Sequence, residues 1–292
     1  MIKTAALTTI FIAILYPLTF YKNVMETSSG GTILTFYNER GKAFAAADSR
    51  FYNPIFPNVR DDTGCKIISL SNNVFFFYSG GIAEVRNARN EILTSANILA
   101  VQSFKETSRL NDPYFRLRET ARHWGDLMKP IANQILRITP KDQRPSEVQL
   151  GGFGGLDSNG TPKMILVSMG VTVFDDNRPS ISTYEISEWP SAPNLLQGFG
   201  GVITAIEDAN EFLNGATLRA KQANILFNQT FGGKPINDRD SYLWTAAIES
   251  AVRWGGKNPF IGGKVDAVVL ENGKDLRWIQ RKQSCYQEDS TH

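Results

Sequence analysis

The most constraining feature of this chain is a set of short, nearly unbroken apolar runs that come in pairs around turn sequences. Residues 32–37 (TILTFY) and 43–47 (AFAAA) flank Asn38-Glu39-Arg40-Gly41. Residues 66–70 (KIISL) and 74–78 (VFFFY) flank Ser71-Asn72-Asn73. Asn, Ser and Gly at such joints favour the tight reversal of a hairpin. A run without polar alternation reads as a strand covered on both faces. A sheet of such strands needs a packing layer on each side, which excludes a one-faced meander.

The rest of the chain extends this pattern. Residues 148–153 (VQLGGF) and 164–167 (MILV) bracket a turn rich in Gly, Asn and Asp. Residues 180–186 (SISTYEI) alternate in polarity, and 264–270 (KVDAVVL) and 275–279 surround Asn272-Gly273. Ser79-Gly80-Gly81 is expected to end a sheet. Val85, Ala88, Ile92, Ala96 and Leu99 then recur at helical spacing and predict a helix. Asp112-Pro113 predicts an N-cap and first turn, followed by an apolar stripe through Leu117, Ala121, Trp124, Met128, Ile131 and Ile135. Pro130 is expected to kink or split that helix. Further helices are expected over residues 202–213 and 238–254. The order strands, two helices, strands, two helices, strands predicts an α+β chain. Its expected architecture is a four-layer αββα sandwich: two stacked, mostly antiparallel sheets with helices on both outer faces. No linker divides residues 32–280, which read as one domain, and residues 281–292 read as a C-terminal tail.

Charge and rare residues exclude several function classes. Lys plus Arg (31) nearly balance Asp plus Glu (29), and no basic stripe stands out, so a nucleic-acid surface is not expected. There are two histidines, His123 and His292, too few for a histidine-built zinc site. His123, beside Trp124 in a helical stretch, reads as a packed or surface residue. The two cysteines, Cys65 and Cys285, have no metal-ligand spacing. They could pair in an oxidising compartment, but spacing alone leaves that open.

The N-terminus has the layout of a targeting segment. Lys3 is followed by an uncharged stretch over residues 4–20 (TAALTTIFIAILYPLTF). This predicts either a secretory signal or a membrane anchor that tethers the chain. A polar segment over residues 21–31 follows, with small residues Ser29 and Gly31 placed as at a signal-cleavage site before Thr32. Residues 1–31 therefore read as a leader plus a short propeptide. The domain is expected to be exported, periplasmic or secreted, or held outside the cytoplasm by its anchor.

The stretch from Gly31-Thr32 to Ala46-Ala47-Asp48-Ser49-Arg50 resembles the start of a mature proteasome β-subunit, a family of N-terminal-nucleophile hydrolases. Asp48 lies 16 positions after Thr32, as in the family. Lys66, in Cys65-Lys66-Ile67-Ile68, matches the family's catalytic lysine after a small insertion, and Gly80 matches the oxyanion-hole glycine. The resemblance implies that cleavage after Gly31 exposes Thr32 as a nucleophile, with Asp48, Lys66 and Gly80 as catalytic partners and Arg50 in support. It implies a peptide or other amide substrate, no cofactor and no metal, and it allows a homo-oligomer.

The chemistry explains these residue types. A threonine hydroxyl needs a base, and a freed α-amine with a reference pKa of about 7.7–8.0 can serve. Lysine would orient the hydroxyl and favour proton loss, the aspartate would hold the lysine, and the Gly80 N–H would donate to the oxyanion. Each residue also has an ordinary role: strand threonine, structural Asp48–Arg50 pair, surface lysine, turn glycine. A Cys65 thiolate beside Lys66 is a weaker third candidate nucleophile.

The sequence departs from the family at three outer positions. Phe199 stands in Gly198-Phe199-Gly200 where a serine is expected. In Asn258-Pro259-Phe260-Ile261-Gly262-Gly263, Asn258 stands for an aspartate and Ile261 for a serine. The alternative reading is accordingly a catalytically inactive chain of this fold, acting as an exported binding or structural module.

Overall fold

A computed structural model describes residues 24–30, 33–38, 41–52, 60–87, 91–138, 147–170, 172–173, 179–181, 183–189, 196–199 and 262–285. Over these residues the chain is α+β, with two helices and antiparallel sheets. The predicted helices at 202–213 and 238–254, the apolar segment 4–20 and the end of the tail from 286 lie outside the described residues.

The larger sheet is built on one long strand. It contains β1 (Val24–Gly30), β4 (Phe51–Tyr52), β5 (Arg60–Asp61), β6 (Ile67–Ser71), β7 (Val74–Asn87), β8 (Ile92–Ser95), β9 (Glu147–Leu156), β10 (Pro162–Gly170) and β13 (Glu185–Trp189). Its main path runs β13-β10-β9-β7-β1-β4-β5, with β6 and β8 also paired to β7. A second sheet runs β14-β2-β3-β15-β16, from β2 (Ile33–Asn38), β3 (Lys42–Ala47), β14 (Leu196–Phe199), β15 (Asp266–Glu271) and β16 (Arg277–Gln280). A separate short pair joins β11 (Thr172–Val173) to β12 (Pro179–Ser180). The hairpins read at 32–47, 66–78, 148–167 and 264–279 are all present as antiparallel pairs.

The unbroken apolar runs are explained by burial on both faces. Ile67, Phe75, Phe77, Met164 and Leu166 share a buried cluster with Ala43, Ala45, Ala47, Val268 and Leu270 of the second sheet. The alternate residues Ile68, Phe76, Tyr78, Ile165 and Val167 point into a different cluster with the helices. These helices are α1 (Ala96–Glu106) and α2 (Pro113–Ile138). Trp124 of α2 lies at the centre of that cluster. Its ring centroid is 5.4 Å from Phe76, and its indole N–H donates to the Ala96 carbonyl at 3.0 Å. The glycines of β9 make room for these rings: a Cβ on Gly152 would overlap the ring of Phe77.

The helix ends follow their sequence signals. Ser95 Oγ accepts from the Ile98 N–H at 3.1 Å, and Asp112 Oδ1 accepts from the Phe115 N–H at 2.6 Å with Pro113 in the first turn. Pro130 does not split α2. It sits on an exposed position of a helix that runs through Ile138, where the carbonyl it leaves unbonded can face water.

Three expectations are corrected. The sheet does not end at Ser79-Gly80-Gly81. β7 continues to Asn87, and the helix starts only at Ala96. The helical spacing from Val85 was overridden because β1 and β8 supply ladder partners on the two sides of this stretch. Setting residues 1–31 aside as a leader had removed β1 from consideration. The strand expected at 180–186 lies instead at Glu185–Trp189, paired with β10. Ile181 is held to α2, with its N–H donating to Asn133 Oδ1 at 2.7 Å and its carbonyl accepting from Asn133 Nδ2 at 3.0 Å. The third correction concerns the tail. Residues 281–285 pack against the domain, and Cys285 is fully buried on a 3-10 turn (Gln283–Cys285).

Candidate active site around Asp48 and Lys66

The hairpin β2–β3 delivers Asp48 to the end of the second sheet, and β6 begins directly after Lys66 in the first. The two side chains meet in a buried ion pair. Lys66 Nζ lies 2.6 Å from Asp48 Oδ1, and both side chains are fully buried. The other carboxylate oxygen, Asp48 Oδ2, accepts from the Gly262 N–H at 2.9 Å and the Arg50 N–H at 3.3 Å. A buried carboxylate needs such partners, because taking it out of water without them costs several kcal/mol.

Backbone bonds fix the frame around this pair. The Ser49 N–H donates to the Gly262 carbonyl and the Gly64 N–H to the Ser49 carbonyl, each at 3.1 Å. Gly263 has a φ of 74°, and a Cβ there would overlap Ser49 Oγ, so the Gly262-Gly263 turn fits closely against Ser49. The Lys66 ammonium also lies 5.9 Å from the centroid of the buried Phe51 ring. Burial pushes Lys66 below the ordinary lysine value. Asp48 opposes that shift and nearby Lys282 adds to it.

Arg50 reaches Asp48 through its backbone N–H, and the Asp48 charge also acts on its guanidinium. Its guanidinium makes a two-point contact with Asp62, Nε to Oδ1 at 2.7 Å and Nη2 to Oδ2 at 2.8 Å. Beside the Asp48–Arg50 relation considered from sequence, which includes a backbone hydrogen bond, Arg50 makes this ion pair with Asp62.

Thr32 itself lies outside the described residues, as do Asn258 and Ile261. Its flanks are placed by strand register. Ile33 pairs with Ala47, the residue before Asp48, and with Phe199 on the other side. Gly30 pairs with Gly80 on β7 and with Phe51 on β4. β1 of the first sheet thus ends opposite Gly80, and β2 of the second sheet begins opposite the residue before Asp48. Gly80 is a mid-strand residue, flanked by Gln149 of β9 and Gly30 of β1.

Two other sequence candidates resolve. Cys65 is bonded to Cys285 in a disulfide spanning 220 positions, so it is no thiolate nucleophile. His123 packs on α2 with Nε2 2.8 Å from Glu106 Oε2 and Nδ1 3.3 Å from Ser103 Oγ, a tie between the helices.

Sequence reasoning missed a second buried ion pair. Lys282 Nζ lies 2.6 Å from Asp266 Oδ2, and the Lys282 N–H donates to Asp266 Oδ1 at 2.7 Å. The signal available was an aspartate within the apolar run of residues 264–270. Its partner, in the segment read as a tail, carried no signal. No group of three or more His, Cys, Asp or Glu suited to a metal ion occurs among the described residues. Comparison with protein-family models and with curated proteins returns no match to this chain.

Proposed function

We propose that this chain is a threonine-type amide hydrolase, acting on peptides or other amides, whose nucleophile is Thr32 once the bond after Gly31 is cut. On this reading the fold is the four-layer αββα arrangement of proteasome β-subunits. The observation that carries the reading is the fully buried Asp48–Lys66 pair, 2.6 Å apart, directly after Ala47, the strand partner of Ile33. A lysine so enclosed has a lowered proton affinity, which suits proton exchange with a hydroxyl. The freed Thr32 amine would take the hydroxyl proton directly or through water. The hydroxyl oxygen would attack the amide carbonyl, and water would release the resulting ester.

The position of β1 supports an order of events for this reading. Gly30 of β1 stands opposite Gly80, the candidate oxyanion donor. Release of residues 1–31 would clear that strand and free the Thr32 amine in one step. A disulfide joining Cys65 and Cys285 supports an exported location, since such links persist in oxidising compartments. Among the described residues no helix is long and apolar enough to cross a membrane. Tethering would fall to residues 4–20.

The alternative is an inert chain of this fold that retains β1 and serves as an exported binding or structural module. What favours it is the place of β1 as a paired inner strand of the larger sheet. Intact-mass measurement of the natively expressed protein separates the two readings. The hydrolase reading expects a mature chain beginning at Thr32, and it expects Thr32→Ala to abolish hydrolysis of a peptide-amide library. A chain that stably retains Gly31 would sink it.

A further inference from the structure

The buried surroundings of Lys66 include a second anchored unit, at the other end of the sequence. Cys65, directly before Lys66, is bonded to Cys285. Lys282, three positions before Cys285, is buried, and besides its pair with Asp266 its ammonium donates to the Gly64 carbonyl at 2.6 Å. The turn is closed by the Cys285 N–H on the Lys282 carbonyl at 3.1 Å and by Arg281 Nη2 on the Cys285 carbonyl at 2.6 Å. On the opposite side Asn97 Nδ2 donates to the Cys65 carbonyl at 2.8 Å. The residues before Lys66 are therefore held at Gly64, at the Cys65 sulfur and at the Cys65 carbonyl. Gly64 passes the restraint on through Ser49 and Gly262 to Asp48.

We propose that the Asp266–Lys282 pair and the Cys65–Cys285 disulfide form a clamp that positions Lys66, so that oxidation of the two thiols completes the site. Closing the clamp joins two sulfurs and passes two electrons and two protons to a disulfide oxidant, which leaves as two thiols. A dithiol reductant reverses the exchange and is itself closed to a cyclic disulfide. The chain would then remain incompetent in a reducing compartment and become competent on export. Lys282 and Asp266 act through Lys66 and are positioning residues. The regulatory consequence rests on the hydrolase reading above, whereas the clamp does not.

The charged groups facing Lys66 are Asp48, Asp62 and Lys282. Removing Lys282 takes away a like charge and loosens the enclosure, and both changes raise the proton affinity of Lys66. The test uses the full chain in three forms: oxidised, reduced with dithiothreitol, and Lys282→Met. Lys66 is titrated through its side-chain carbon resonances, and amide hydrogen exchange is followed along the backbone. The clamp expects the Lys66 midpoint to move to higher pH in both perturbed forms. It also expects exchange at residues 64–67 to rise at least tenfold more than in β9 and β10. An unmoved midpoint with unchanged relative protection in both forms overturns it, as does a uniform loss of protection across the sheets. Release of residues 1–31 is followed by mass in the same samples and is expected to slow at least tenfold. If the midpoint and protection respond while the bond after Gly31 stays intact in every form, the clamp stands and the hydrolase reading falls.

Discussion

Replacing Lys66 with Met tests the energetic centre of the candidate site. Methionine is close in volume and keeps most of the aliphatic stem, so the cavity contribution is small. What is lost is the ammonium 2.6 Å from Asp48 Oδ1. Asp48 keeps the backbone donors on Oδ2 but loses its buried partner on Oδ1. Removing one partner of a buried pair costs about 3–5 kcal/mol. At about 2–4 °C per kcal/mol for a domain of this size, the midpoint should fall by roughly 6–20 °C. Urea and thermal unfolding of the mature or full-length chain provide the measurement. The double variant Asp48→Asn/Lys66→Met removes both charges while leaving an oxygen for the Gly262 N–H. It should recover part of the loss, with a coupling energy of about 0.5–3 kcal/mol in the double-mutant cycle. A Lys66→Met loss below about 1 kcal/mol, or a cycle additive to within about 0.5 kcal/mol, would refute the argument that the pair is buried and interdependent.

Because burial holds Lys66 below its ordinary value of 10.5, the unfolded chain binds more protons than the folded one between the folded value and 10.5. Stability from this group therefore rises with pH in that alkaline window. The wild-type minus Lys66→Met stability difference, measured by urea unfolding, should climb there, and a flat or falling difference would contradict the sign. Gly152→Ala sets a methyl group against the Phe77 ring and should cost about 1–3 kcal/mol through overpacking, read as a drop in the urea midpoint. Trp124→Phe removes the indole bond to the Ala96 carbonyl and part of the packing on Phe76 and Phe153. A loss of about 1–3 kcal/mol is expected by calorimetry, and an unchanged midpoint would mean the cluster repacks freely.

The paired apolar runs determined much of the fold locally. Residues 66–78 read as a hairpin covered on both faces, since their apolar residues run almost continuously around Ser71-Asn72-Asn73, and 148–153 and 164–167 read as strands around a turn rich in Gly, Asn and Asp. Asp112-Pro113 likewise announced the start of α2, because capping is a short-range effect. The resemblance to proteasome β-subunits singled out Asp48, Lys66 and Gly80 as candidates and had the aspartate hold the lysine. It did not say that the Arg50 guanidinium makes a two-point contact with Asp62. Such contacts depend on tertiary packing, which brings together side chains separated in sequence. Tertiary pairing also decided the course of β7 beyond Gly80, since its partner β1 came from a segment that reads as a discarded leader. The pairing of Cys65 with Cys285 and the burial of Lys282 against Asp266 were decided the same way. A charged or sulfur-bearing residue in a short polar tail looks ordinary until the fold sets its partner beside it.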